Sequence, residues 1–330
     1  MKASEKCHPT QTSGAPRYPK TVILESTNYC NLRCKMCHIW GEGVVNKRQT
    51  GFIREATWKK AIDELSTWEE PVTLVLHGAG EVLLHKDFFR ILSYATSKKN
   101  LSAGFLTNGS LLSPETAEKI LDSNAAWIGF SVDGTEEEKY RNYRGADLRK
   151  VESAIEHLLA LRKGSRPSVF LNMVALPDLD TGAFLQRWID RVDEVRISRY
   201  RPVGHRDFLT EQIDRTPCYL LDEMLVVAWN GDAVLCCEDI WAEEPIGRFP
   251  EKSLYELWHS ARFDEIRRLH REGRYGDIGI CARCDAWSNR LTVVEVKASE
   301  NLEVTSCAAQ TSYRRISRTG LAHEETRCKS

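Results

Sequence analysis

Excess charge is almost missing from this sequence: 46 basic against 47 acidic residues in 330 leave −1 at neutral pH. That balance gives no basic footprint for nucleic acid or an anionic membrane face. No apolar run approaches the roughly 18–20 residues of a membrane span. Internal repeats are absent too, and "MKASEKCHPTQTSGAPRYPK" lacks the apolar stretch of a secretory signal. The expectation is a cytoplasmic protein with no nucleic-acid or membrane partner. In that compartment the eleven cysteines read as thiols and metal ligands rather than a disulfide framework. A hydrophobic fraction of 42% with 28% charged residues suits a globular chain large enough for a sizeable core.

Residues 1–18 are polar and rich in Ser, Thr, Pro and Gly, and predict a loose tail. From "TVILEST" onward, apolar strand-like segments alternate with helical ones: "PVTLVLHG", "LSAGFLTNG", "AWIGFSVDG", "SVFLNMVAL" and "VDEVRIS" separated by periodic stretches such as "EATWKKAIDELSTW" and "DLRKVESAIEHLLALRK". In "SPETAEKILDS", Ser113 is the expected N-cap, with Pro114 at the first helical position. Six strands alternating with helices predict a parallel α/β domain, a partial (β/α)6 TIM-like barrel over residues 19–205, with its chemistry at the C-terminal strand ends. The pattern changes near Pro202. "MLVVAWNGDAVLCCEDI" reads as a hairpin turning at Asn230-Gly231-Asp232, and residues 206–290 as a small α+β module. Residues 291–330 show no sustained period and predict a second tail.

The informative stretch is "STNYCNLRCKMCHIW", which places Cys30, Cys34 and Cys37 within eight residues. Three is an odd number for disulfides, and bridges across such short loops would be strained. The spacing is not the C-x2-C pairing of a zinc ribbon; three thiolates can cap three irons of a cubane and leave the fourth open. The loop, followed by "HGAGEVLL" and "SVDG…YRNYRG", resembles the radical S-adenosylmethionine (AdoMet) superfamily, with Ala79 and Val82 departing from that family's GGEP segment. The resemblance covers roughly residues 20–198. It implies a [4Fe–4S] cluster on Cys30, Cys34 and Cys37 that binds AdoMet, and reductive cleavage to a 5′-deoxyadenosyl radical. It implies that Gly80 and Glu81 hold the methionyl amino group and that Met36 lies against adenine. Ser131 and Arg144 are the candidates for the ribose and carboxylate.

Cys218, Cys236 or Cys237, Cys281 and Cys284 form a second set, whose spacing alone admits zinc or a four-thiolate cubane. Its order of Cys, hairpin, Cys, helix, Cys-x-x-Cys resembles the auxiliary-cluster module called twitch, a trimmed SPASM domain, over roughly residues 217–287. Aligning the hairpin makes Cys236 the ligand of an auxiliary [4Fe–4S] cluster and leaves Cys237 spare. The likeness leans towards the superfamily's aminocyclitol dehydrogenases. It implies oxidation of a secondary alcohol in a carbohydrate-like small molecule, with an external donor such as flavodoxin or ferredoxin. Arg201 and His205, in the basic linker, are offered for the hydroxyl proton. Radical epimerisation stays open, with Cys237 as hydrogen donor, as do decarboxylation and peptide maturation. Cys7, Cys307 and Cys328 fall in the expected tails and read as incidental.

Overall fold

The computed structural model describes residues 16–201, 214–290, 292–297, 300–316 and 326–329. Six parallel strands, β1 (Thr21–Leu24), β2 (Val72–Val75), β3 (Leu101–Thr107), β4 (Trp127–Ser131), β5 (Ser168–Ala175) and β6 (Glu194–Arg199), lie side by side in chain order. Between them run α1 (Glu55–Leu65), α2 (Phe88–Thr96), α3 (Pro114–Asp122), α4 (Glu137–Arg144), α5 (Leu148–Leu161) and α6 (Thr181–Trp188). This is the open α/β barrel that the alternation predicts.

Local chemistry explains the helices. Ser113 caps α3 by accepting the Thr116 N–H at 3.1 Å, with Pro114 in the first turn. Asp147 does the same for α5 at Lys150, and Leu148, Val151, Ile155 and Leu158 turn one face to the sheet. In α1, Trp58, Ile62 and Leu65 are fully enclosed, each such side chain contributing about 1.5–3 kcal/mol relative to exposure. Strand ends therefore sit on a rigid base, with the loops free to carry chemistry.

Beyond β6 come α7 (Leu220–Glu223), β7 (Met224–Val227), β8 (Asp232–Val234), β9 (Pro245–Arg248), α8 (Leu254–Trp258) and α9 (Ala261–Arg271). Strands β7 and β8 form the expected hairpin, with Gly231 at φ +93° in its turn. β7 pairs in parallel with β1, so the module continues the barrel's own sheet. β9 was not legible in the sequence.

Two expectations about the ends need correcting. The N-terminal tail stops short of residue 18: Tyr18 is buried and stacks on Trp68 at 4.8 Å. Residues 292–297 and 300–316 are not a tail but hold three strands, β10 (Thr292–Lys297), β11 (Leu302–Ser306) and β12 (Gln310–Arg315), and β13 (Thr326–Lys329) pairs with β10. The β12 strand adds antiparallel to β6, giving one sheet ordered β13-β10-β11-β12-β6-β5-β4-β3-β2-β1-β7-β8-β9. Pairing on the open edge of β6 stabilises these strands, and their short polar alternation conceals it. Among the described residues, no helix is long and apolar enough to cross a membrane.

Candidate active site

The chain leaves β1 through Glu25, Ser26, Thr27 and Asn28, all buried. Asn28 donates from Nδ2 to the Gln49 carbonyl at 2.8 Å and accepts the Gly51 N–H at 2.9 Å, so the loop that begins there returns to its own start. Within it Cys30, Cys34 and Cys37 are free and partly exposed. The Cys37 N–H donates to the Cys34 carbonyl at 2.9 Å, and the Gly41 N–H to the Cys37 carbonyl at 3.0 Å. Trp40 N–H points at Cys37 Sγ, 3.2 Å away. The loop has no room for a side chain at Gly41, where a Cβ would lie 2.4 Å from the Cys37 carbonyl oxygen. Gly41→Ala is expected to spread the loop and cut iron loading at this site, measured as iron and sulfide content after reconstitution; full loading would refute the tight wrap.

The thiols fit a metal cluster. Burial is the main cause that pushes Cys30 up to about 11 and raises Cys34, with Arg144 partly offsetting it at Cys34. Such thiols ionise readily only beside strong positive charge, which iron supplies. Among the described residues no three His, Cys, Asp or Glu side chains converge as ligands of one ion; in a cubane each thiolate takes its own iron. Cys30, Cys34 and Cys37 would hold that cluster.

The strand ends close around this loop. Glu81 N–H donates to the Tyr29 carbonyl at 2.6 Å, and a Cβ on Gly80 would lie 2.3 Å from the same oxygen. "HGAGE" therefore abuts the cysteine loop directly. The Glu81 carboxylate is buried and accepts from the Leu83 N–H, the Thr107 hydroxyl and the Asn108 N–H at 3.1, 2.7 and 2.7 Å. Burial raises its pKa against those donors. Three of the carboxylate's about four lone-pair sites are thus taken by protein, and holding the β2 and β3 ends together is a task that sequence reasoning did not assign to it. Arg144, placed by α4, likewise bonds through Nε to the fully buried Asp133 at 2.6 Å. Asp133 and the Cys34 thiol raise the guanidinium pKa in spite of burial. The Cys34 thiol lies 3.9 Å from the Arg144 carbonyl. Ser131, half-buried at the end of β4, is in register with Asn172, whose Oδ1 accepts from the Ser198 hydroxyl at 2.7 Å. Met36 lines a cavity of about 230 Å³ with His38, Val174, Ser198, Arg201 and Ala309. That last residue brings the β11–β12 turn to the mouth.

In the module, Cys218, Cys236, Cys281 and Cys284 line one void, walled by Leu220, Leu235, Ile280, Ala286 and Trp287. Burial pushes Cys218 and Cys281 up to about 12 and raises Cys236 well above the ordinary thiol value. Two residues lining this void, His270 and Arg215, carry buried donors, Nε2 and Nε, that have no hydrogen-bond partner among the described residues. An anionic sulfur-rich group is what such a lining fits, and the four cysteines would hold it. Cys237 does not border this void. It opens instead on a cavity of about 220 Å³ with Ile23, Glu25, Arg48, His77 and Asp239, which Cys236 also touches. Cys237 is exposed as a residue, yet the surrounding walls desolvate its thiol and push its pKa up to about 12. His77 accepts the Leu106 N–H at Nδ1, and burial lowers its pKa to about 4. Arg201 pairs with Glu238 at 3.0 Å, and its carbonyl contacts His38 Nε2. His205 lies outside the described residues.

Sequence reasoning missed Glu25 and Arg48. The Glu25 carboxylate accepts from Arg48, the Ala79 N–H at 2.9 Å and the Trp229 N–H at 3.1 Å. One buried carboxylate thereby ties together the cysteine loop, the β2 turn and the module hairpin. A glutamate at the end of an apolar strand was the only available signal.

Comparison with known proteins agrees with this geometry. Residues 24–185 match the model of the radical SAM superfamily, and residues 218–285 that of an iron–sulfur cluster-binding domain, SPASM. An S-adenosyl-L-methionine-dependent 2-deoxy-scyllo-inosamine dehydrogenase from Niallia circulans is 21% identical over 269 residues, 80% of this chain and 92% of that protein. The mycofactocin maturase MftC of Mycobacterium ulcerans is 28% identical over 235 residues, 69% of this chain and 60% of the maturase. BtrN in complex with AdoMet and 2-DOIA has the same fold at a TM-score of 0.58 and 18% identity, covering 82% of this chain and 94% of BtrN. Of the first curated relatives it matches, the chain spans only 30%, 41% and 60% of the length. Both family matches end before β10, so the C-terminal strands lie outside them.

Proposed function

This chain belongs to the radical SAM superfamily and carries an iron–sulfur module of the SPASM type, and from that we propose that it oxidises a secondary alcohol of a small carbohydrate-like substrate, an aminocyclitol or aminoglycoside intermediate, to a ketone. The observation that carries the reading is the cavity of about 220 Å³ between the strand ends and the module, touching Cys236 of the four-thiol void on one side and His77 on the other. When bound, AdoMet and its [4Fe–4S] cluster supply a 5′-deoxyadenosyl radical as hydrogen-atom acceptor, and the auxiliary cluster supplies an acceptor for one electron.

The protein's own residues supply the rest. His77 is neutral with Nδ1 occupied, so its Nε2–H is the donor it can offer a substrate hydroxyl. Glu25 and Arg48 hold the cavity wall and exclude water by closing the loop against the hairpin. Gly80 keeps the β2 turn pressed to the cysteine loop, and Met36, Ser131 and Arg144 are the residues assigned to AdoMet. Ketone formation also releases the hydroxyl proton. Arg201, tied to Glu238, and His205 are the residues assigned to it. The reducing electron comes from an external donor such as flavodoxin or ferredoxin.

Radical epimerisation is the second reading, favoured by one observation: the spare thiol of Cys237 opens on the cavity. Anaerobic turnover in deuterium oxide with AdoMet, reductant and a panel of aminocyclitols separates the two. Dehydrogenation gives a product lighter by two hydrogens with one 5′-deoxyadenosine per turnover, and Cys237→Ala retains activity. A product of unchanged oxidation state carrying one carbon-bound deuterium, lost in Cys237→Ala, would replace dehydrogenation by epimerisation.

A further inference from the structure

The lining of the auxiliary void contains a feature that cluster ligation alone does not explain. His270, in the last turn of α9, is 2% exposed. Its Nδ1 receives the backbone N–H of Cys218 at 3.2 Å. A backbone N–H can only donate, so Nδ1 is the acceptor nitrogen and the ring proton sits on Nε2. That Nε2–H is buried, belongs to a residue that lines the void, and has no acceptor among the described residues. Arg215 repeats the pattern. It donates from Nη2 to the Cys281 carbonyl at 2.8 Å and lies over the Tyr275 ring at 4.2 Å, while its Nε is buried without a partner on the same void. Buried donors are almost always satisfied. Two left over on one void, among four thiols, mark the positions from which acceptors are missing.

We propose that His270 is a redox-positioning residue, donating from Nε2 to a sulfur of the auxiliary cluster while Nδ1 holds the Cys218 backbone, with Arg215 adding a second donor and a positive charge. Hydrogen bonds to cluster sulfur and nearby positive charge favour the more negative, reduced form and so raise the reduction potential. This is the direction needed by a centre that takes up an electron. The inference rests on the auxiliary site holding an iron–sulfur cluster and is independent of the substrate.

The test uses the full chain with Cys30, Cys34 and Cys37 replaced by alanine, so that only the auxiliary cluster is observed. Iron and sulfide are quantified, and the midpoint potential is followed by electron paramagnetic resonance. His270→Leu is expected to lower the potential at unchanged iron content, and His270→Gln, which retains a side-chain N–H, to lower it less. An unchanged potential in a fully loaded His270→Leu chain overturns the proposal. Should that variant fail to take up iron, the unsubstituted His270 chain labelled with ¹⁵N-histidine decides. A ¹⁵N hyperfine coupling to the reduced cluster that disappears in His270→Gln supports the hydrogen bond, and no coupling refutes it. Bound zinc without sulfide would overturn the cluster assignment itself, a result distinct from a loaded cluster whose potential does not move.

Discussion

Replacing Cys30, Cys34 and Cys37 together by alanine is expected to abolish reductive cleavage of AdoMet and to halve the iron and sulfide bound after reconstitution. The reason lies in the separation of the two thiol sets. The first three sit on the loop after β1, whereas Cys218, Cys236, Cys281 and Cys284 surround their own void beneath the β7–β8 hairpin. None of the loop thiols borders that void, so losing them leaves the auxiliary ligands intact. The measurement is 5′-deoxyadenosine formation under reducing, anaerobic conditions alongside iron analysis. Cleavage persisting at the parental rate would remove the radical SAM assignment of the loop. Loss of all iron would show instead that the two sites assemble as one.

Arg144→Met is expected to destabilise the chain by about 3–5 kcal/mol, the range for breaking a buried ion pair by removing one partner. Asp133 is fully buried, and without the guanidinium it keeps, among the described residues, the Val174 N–H at 2.7 Å. The urea midpoint of the reconstituted chain should fall while the slope of the transition is retained. Adding Asp133→Asn should recover part of the loss, because the uncompensated charge is then gone. A midpoint that stays put in Arg144→Met would mean that water already solvates the Asp133 carboxylate. The substitution should also weaken AdoMet binding, since it removes the positive charge that offsets burial at the Cys34 thiol; a stability loss with unaltered AdoMet affinity would confine Arg144 to a structural role.

What the sequence by itself determined is what short-range pattern encodes. Alternating strand and helix periods over residues 21–199 specify the parallel barrel, and the cap at Ser113 shows local chemistry and observed structure coinciding. The cysteine spacing, too, is local: three thiols within eight residues are close together in any fold. Helix α4 was not legible, because its eight residues are polar on nearly every face and only Tyr140 and Arg144 are buried. The strands at 292–316 depend on an edge offered by β6, which no local period can announce.

Only the tertiary structure decided which atoms the buried charges answer to. Glu25, Glu81 and Asp133 each stand in the loop that follows a strand, and each accepts from a donor distant in the chain. It also separated two adjacent cysteines, Cys236 on the four-thiol void and Cys237 outside it, which spacing cannot do. The same holds for His270, 52 residues from the Cys218 amide it accepts. Burial and partner choice are properties of packed surfaces, and a linear pattern carries them only where neighbours in space are also neighbours in sequence.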